Sequence, residues 1–402
     1  MTVGARGQAL LDEGVAAGVF PSAAAVILRD GRRVFEGSAG GATLRTVFDL
    51  ASLTKIMATT AVFLALWRDG AVEPETPVGR FLPDTAAGRA GVTVADLLAH
   101  RAGLPAFVPL FAPILRATPE LLGLDCPVGV RAAARAEAVM RALSVAPTAP
   151  PGTRYDYSDV GFVVLGETLG RAGERSLEPL VVERVARPLG LGMRFHRLSA
   201  RDAWAPSAGG GAGSSGCLAL APTGRTRPRD PAPGQEGIWE PFAPHPSIPG
   251  EVDDDNAWVM DGVAGHAGLF GTVADVATFG QVVLDDLAGA GRLAAADHWR
   301  AALRRDTRTP GSTCGLGFHT RVPGDPVGGS SAGQLVGMLS PGAVGHIGFT
   351  GTSLWIDLAR RLVVALCTNR VAGPHGRAEV RIRDFRPRFH DAMVEVFAGT
   401  SP

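Results

Sequence analysis

The chain has 402 residues, 46% hydrophobic and 19% charged, and its 39 basic and 39 acidic side chains cancel to a formal net charge of +0. That is enough apolar sequence for a large core or two lobes, and the lack of any basic stripe or polybasic tail argues against nucleic acid or an anionic membrane as partner. The four cysteines, Cys126, Cys217, Cys314 and Cys367, make no CxxC pair and sit at no zinc-ligand spacing, so free buried thiols in a reducing compartment are expected, and no metal.

Residues 4–18 read as a helix and not as a signal peptide, because Asp12 and Glu13 interrupt the apolar stretch. Residues 22–28 and 33–38 read as two strands, joined by an Asp30-Gly31 turn of the kind that favours hairpins. Next comes DLASLTKIMATTAVFLALW, residues 49–67, a helix that is apolar almost all round and therefore expected to be buried. Its longest apolar run, Ile56 to Trp67, is bounded by Lys55 and Arg68. It falls short of the roughly 20 residues a bilayer span needs, so a cytoplasmic protein outside the membrane is expected.

From 71 to 309 the pattern is mainly helix and loop. Within it, residues 205–236 are dense in Gly, Pro and Ser and read as a flexible surface loop. SLWIDLA (353–359) and RLVVALCTN (361–369) read as paired strands, followed by an amphipathic helix around 384–398. Strands at both ends with helices between them predict an α+β fold. Residues 1–70 and 310–402 then form one domain from both termini, with 71–309 inserted as a mainly helical lobe.

Lys55 is the only lysine in the chain; every other basic side chain is Arg. Arginine cannot act as a base in a protein, whereas burial and neighbouring charge can tune a lysine until it loses its proton. Lys55 follows Ser52 by three positions, which places both on one helix face. An alcohol beside a neutral amine at a positive helix end is an activated nucleophile. Alone, S-x-x-K is a weak signal.

Support comes from tyrosine. The chain has only two, Tyr155 and Tyr157, against 17 Phe, and both fall in RYDYSDVGFVVLG, residues 154–166. A phenol kept in one motif suggests a hydroxyl in use. Further on, VGHIGFTGTSLWID (344–357) is a glycine-punctuated entry into a strand, where exposed N–H groups could hold an oxyanion.

Ser52-Leu53-Thr54-Lys55, Tyr157-Ser158-Asp159 and His346-Ile347-Gly348 together resemble the three ordered motifs of the serine β-lactamase and penicillin-binding-protein superfamily. The nearest resemblance is to the branch containing class C β-lactamases, D-amino-acid peptidases, carboxylesterases and acyltransferases. TVADLLAHRAGLP (93–105), GVAGHAGLFGTVADVATF (262–279) and TNRV (368–371) fit it as well. The resemblance implies an antiparallel sheet flanked by helices, a β-lactamase-like αβα sandwich. It implies Ser52 as nucleophile, Lys55 as its proton acceptor and Tyr157 as a relay to the leaving group. The backbone N–H groups of Ser52 and Phe349 would form the oxyanion hole. Ser158 and Asp159 would position Lys55 and substrate, and His346 and Gly348 would line the site. No cofactor is implied.

Two positions depart from the family pattern. Asp159 stands where class C enzymes have Asn, and a carboxylate there would raise the Lys55 pKa. His346 and Ile347 stand where β-lactamases place the Lys-Thr pair that recognises a carboxylate, so weak or absent β-lactamase activity is expected. The expected function is hydrolysis of small esters or amides. The alternative is transfer of an acyl group from an ester or thioester to an amine or alcohol. A D-amino-acid peptidase and a catalytically silent binding protein stand behind these.

Several other patterns get plainer readings. His100 and His266 read as structural hydrogen-bonders, and Asp49 and Asp96 as helix-start residues. Gly211 to Gly216 matches G-x-G-x-x-G without a strand before it or a helix after it. Gly329 to Gly333 matches the G-x-S-x-G elbow at Ser331 but follows a loop.

Overall fold

The computed structural model describes residues 3–123, 125–204, 219–224, 226–227, 245–246, 248–321, 338–378 and 380–397. The hairpin forms as the sequence predicts: β1 (Ala23–Arg29) and β2 (Arg32–Ala39) pair antiparallel, and Asp30 and Gly31 take φ of 50° and 74°. Positive φ at both central residues is what a type I′ turn requires, and Gly at the second adopts it without strain.

The short strands β3 (Val47–Asp49), β4 (Arg194–Phe195) and β5 (Leu269–Thr272) make a small sheet in the order β3-β5-β4. The last four strands are β6 (His319–Thr320), β7 (Val344–Ile347), β8 (Ser353–Asp357) and β9 (Leu362–Thr368). These join the hairpin in one antiparallel sheet ordered β2-β1-β9-β8-β7-β6, so the two ends of the chain meet where β1 pairs β9.

Both faces of this sheet are covered, and the inner strands β1, β8 and β9 are accordingly apolar on both. Ala24, Val26, Leu354, Ile356, Val363 and Ala365 face a core shared with Phe279 and Val282 of α4 (Val273–Leu287). The alternate residues Ala25, Ile27, Trp355, Val364 and Leu366 face Leu11 of α1 (Val3–Ala16) and Phe385, Phe389 and Met393 of α5 (Ile382–Glu395). The period-2 alternation thus feeds two separate apolar layers. α4 comes from within the 71–309 span and packs on the sheet. Elsewhere in that span, Phe111, Ile114, Leu121, Ala138 and Trp258 gather in a second apolar cluster.

Lys55–Thr60 forms a π-helical turn that runs on into α2 (Ala61–Arg68), and every residue from Leu53 to Leu66 is buried, as the all-round apolar pattern predicts. Against it packs α3 (Asp159–Ala172), whose first turn follows the Tyr157-Ser158 pair. Among the described residues no helix is long and apolar enough to cross a membrane. Cys126, Cys314 and Cys367 are free thiols. Most of 205–236, the whole of Gly211–Gly216 and Ser331 lie outside the described residues.

Candidate active site

The chain turns sharply between β3 and the π-helical turn, and Ser52 sits on that turn. Ala51, just before it, has φ of 47°, an uncommon conformation for a residue with a side chain. Neighbours on three sides hold it there. Its N–H donates to Asp49 Oδ1 (2.8 Å), and its carbonyl accepts from Thr54 Oγ1 (2.5 Å). Thr350 Oγ1 donates to the Asp49 carbonyl (2.7 Å) and Thr352 Oγ1 to the Leu50 carbonyl (3.1 Å). A strained residue persists only where its surroundings over-determine it, and such residues gather at functional sites. Asp49 is therefore not a helix-start residue. It ends β3, and its second carboxylate oxygen accepts the Asp253 N–H (2.7 Å). Asp96 does sit in the first turn of a helix, in a capping box with Thr93.

Lys55 is 0% exposed, and its three donors each find an acceptor: Ser52 Oγ at 3.1 Å, Asp159 Oδ1 at 2.7 Å and the His266 carbonyl at 3.2 Å. Its Nζ also lies 4.9 Å from the Tyr157 ring centre and 5.5 Å from that of Phe162. Burial alone would lower its pKa, but Asp159 and Tyr157 outweigh burial and leave it above the ordinary value. The sequence expectation for Asp159 is thereby met: its carboxylate favours the ammonium. Tyr157 moves the same way for a different reason. Burial pushes its phenol up, against the pull of Lys55, so it stays protonated.

Ser158 behaves differently from the expectation that it positions Lys55. Its hydroxyl accepts the Gly161 N–H (3.0 Å), capping α3, and donates to the Pro105 carbonyl (2.7 Å). An oxygen used in this way is a helix cap. Its N–H donates to His100 Nδ1 (2.9 Å), and the His100 carbonyl accepts the Asp156 N–H (2.8 Å). His100 thus braces the Tyr157 segment from behind, with its ring 4.4 Å from that of Tyr157. His266 Nε2 lies 2.9 Å from Asp254 Oδ1.

β7 brings the third motif to the same place. The His346 ring lies 5.9 Å from that of Tyr157, and its Nδ1 is 2.8 Å from the Ile347 carbonyl, so Nδ1 carries the proton. Gly348 fits where no side chain could: a Cβ would lie 2.1 Å from Thr352 Oγ1 and 2.7 Å from the Leu50 carbonyl. Among the described residues, neither the Ser52 N–H nor the Phe349 N–H donates to any acceptor. The Phe349 ring is exposed and lies over Arg370.

One residue of this cluster escapes sequence reasoning. His319 pairs with Gly345 in the β6–β7 register, and its ring lies 4.7 Å from that of His346 and 6.0 Å from that of Tyr157. Its Nδ1 is 3.2 Å from Cys314 Sγ, which in turn is 3.4 Å from the Tyr155 hydroxyl. The two tyrosines therefore serve different partners: Tyr155 backs His319 through Cys314, and Tyr157 faces Lys55. Burial, helped by the Lys55 charge, lowers the His319 pKa to about 4 and takes those of His100 and His346 well below the usual range. Among the described residues no grouping of His, Cys, Asp or Glu has the geometry to hold a metal ion.

The arrangement offers a hydroxyl beside a lysine, a phenol close to both, and two amides that donate to no acceptor among the described residues. The sequence profile of the family described as Beta-lactamase matches residues 8–386. The chain is similar to the N-acetylmuramyl-L-alanine amidase of Bacillus subtilis (strain 168), at 28% identity over 91% of this chain and 80% of the relative. Among solved structures it resembles EstCE1, a hydrolase with promiscuous acyltransferase activity, at TM-score 0.62, 20% identity, and coverage of 95% of this chain and 98% of that one. It also resembles a penicillin-binding protein homologue from Caulobacter crescentus, at TM-score 0.63 and 17% identity, covering 97% of each chain.

Proposed function

Because the chain belongs to the Beta-lactamase family, a family of serine hydrolases, we propose that it is a serine acyl-transfer enzyme working through an ester on Ser52. The observation that carries this reading is the buried Lys55, whose Nζ lies within hydrogen-bond reach of both Ser52 Oγ and Asp159 Oδ1. In the resting site Lys55 is an ammonium, so it must shed a proton before it can accept one. Asp159 is the acceptor at hand. When substrate displaces water, the ion pair collapses to amine and carboxylic acid, since a buried pair loses its advantage as the surroundings dry. The amine then takes the Ser52 proton as Oγ bonds to the substrate carbonyl carbon. The carbonyl electron pair moves onto oxygen, facing the amides of Ser52 and Phe349. As the tetrahedral species collapses, Tyr157 gives its proton to the leaving group and is reprotonated from Lys55. Water or another acceptor repeats the sequence to release the acyl group.

The substrate is an uncharged ester or an amide. His346 is buried and neutral, and no cation stands in the third motif to hold a carboxylate, so penicillin-type substrates should turn over slowly or not at all. The amidase relative supports including amides in the range. Transfer to an amine or alcohol, in place of hydrolysis, is supported by the likeness to a hydrolase with promiscuous acyltransferase activity.

The test is product analysis with a p-nitrophenyl acylate, with and without added amines and alcohols. Free acid alone in both conditions means hydrolysis; acylated amine or alcohol means transfer. Rapid turnover of a penicillin would contradict the substrate assignment.

A further inference from the structure

Beneath the third motif, two buried arginines hold the backbone of the loop that follows β7. Arg386 of α5 is 2% exposed. Its Nη2 donates to the Gly348 carbonyl and its Nε to the Gly351 carbonyl (3.1 Å). Arg370, 5% exposed, donates Nε to the Phe349 carbonyl (2.6 Å). Three carbonyls of one short loop are thus taken by guanidinium groups. Burial, with Arg370 and Arg383 nearby, holds the Arg386 pKa well below its ordinary value, so this guanidinium is electrostatically costly where it stands. A side chain kept at such a cost calls for a reason beyond anchoring a helix, which apolar residues do on either side of it: Phe385 and Phe389 are both buried.

The peptide joining Gly348 to Phe349 supplies that reason. A trans peptide is planar, with its C=O and N–H pointing in opposite directions. A guanidinium that fixes the Gly348 carbonyl on the α5 side therefore aims the Phe349 N–H away from it. The Ser52 turn packs directly against this peptide: a Cβ on Gly348 would lie 2.7 Å from the Leu50 carbonyl and 3.3 Å from the Ala51 Cβ. A charge-assisted hydrogen bond to the carbonyl also polarises the peptide and strengthens its N–H as a donor. Only Arg has the planar fork that spans two carbonyls at once.

The geometry points to Arg386 as a positioning residue for the oxyanion hole: it orients and polarises the Gly348–Phe349 peptide so that the Phe349 N–H meets the charge developing on a carbonyl attacked by Ser52. This rests on the Ser52 acyl-enzyme reading.

The experiment compares wild type with Arg386→Lys and Arg386→Met. Single-turnover acylation by a p-nitrophenyl acylate, normalised to folded protein, separates the acylation rate constant from ground-state binding. The Phe349 amide resonance, followed in protein labelled with 15N-phenylalanine, reports on the peptide independently of activity. For Arg386→Met the acylation rate constant should fall about 100-fold, the scale for an oxyanion-hole donor, with substrate binding changed by no more than about twofold. Arg386→Lys should fall less, and the Phe349 amide proton should move upfield in both. Should Arg386→Met fail to fold, Arg386→Lys and its amide shift decide. Wild-type acylation rates and an unmoved amide in a folded variant, even one with a lowered melting temperature, would reduce Arg386 to a helix anchor and overturn this inference alone. A wild type that forms no Ser52 adduct would overturn it together with the reading beneath it.

Discussion

Two polar groupings meet at Tyr157, and burial treats them in opposite ways. Around Lys55, every donor is matched: Ser52, Asp159 and the His266 carbonyl take all three, and the ammonium survives complete burial. Around His100, His319 and His346, each ring keeps an Nε2 with no partner among the described residues, and all three rings shed their charge. The difference is one carboxylate. A buried charge persists where an opposite charge lies in contact and is given up where none does. Tyr157 thus stands between a group that holds a proton and groups that refuse one. The Lys55 charge reinforces the contrast, because it is one of the causes lowering each imidazole.

The contrast can be broken first at Lys55. Lys55→Ala should lower kcat/KM for an activated ester by about 1000-fold, within the range for loss of a general base and worth about 4 kcal/mol. Lys55→Arg should do no better, since a guanidinium keeps its proton; near-wild-type rates from the Arg variant would contradict the base role. Gly348→Ala comes next. Its Cβ cannot fit beside Thr352 and the Leu50 carbonyl, so the Phe349 amide must move. A loss of about 100-fold in kcat, about 3 kcal/mol, should appear in steady-state kinetics.

The imidazole side is tested by stability against pH. His319 has its pKa lowered from 6.5 to about 4, so the folded state binds fewer protons than the unfolded state between those values. Its contribution is fully present above about pH 6.5 and is lost as pH falls through about 4, up to about 3 kcal/mol. Urea unfolding of His319→Gln should therefore depend less steeply on pH across that window than wild type. An unchanged slope would show that the ring titrates normally.

The last test reads pH dependence at Asp159. Asp159→Asn removes both the carboxylate that raises Lys55 and the acceptor that takes its proton, so Lys55 must lose that proton to solvent first and the acid limb of the kcat/KM profile should move to higher pH. Each unit of displacement is worth about 1.4 kcal/mol. A limb that stays in place would mean that Asp159 neither sets the Lys55 charge nor takes its proton.

The sequence made the sheet legible because its signals are local: a turn pair that accepts positive φ, and apolar strands short enough to read by eye. It made Ser52, Lys55 and Tyr157 legible for a different reason. Lysine and tyrosine are so scarce here that their positions carry information. What stayed hidden depends on contacts between distant segments. His319 reaches the site only through the register of a two-residue strand, which leaves no periodic trace. Arg386 lies on a helix whose pattern says only that one face is buried, not that a guanidinium there meets a loop carbonyl 38 residues away. Ser158 and Asp49 were visible as polar residues at the right places, but their partners were not. One proved to cap a helix and the other to tie the nucleophile turn to Asp253.

The central claim is that Ser52 forms a covalent acyl intermediate. Intact-protein mass spectrometry after mixing with a p-nitrophenyl acylate, followed by peptide mapping in wild type and Ser52→Ala, tests it most directly. The expected result is one acyl mass on the peptide carrying Ser52, absent from the variant and decaying with turnover. An unmodified wild type, or a label that persists in Ser52→Ala at another residue such as Ser331, would contradict it.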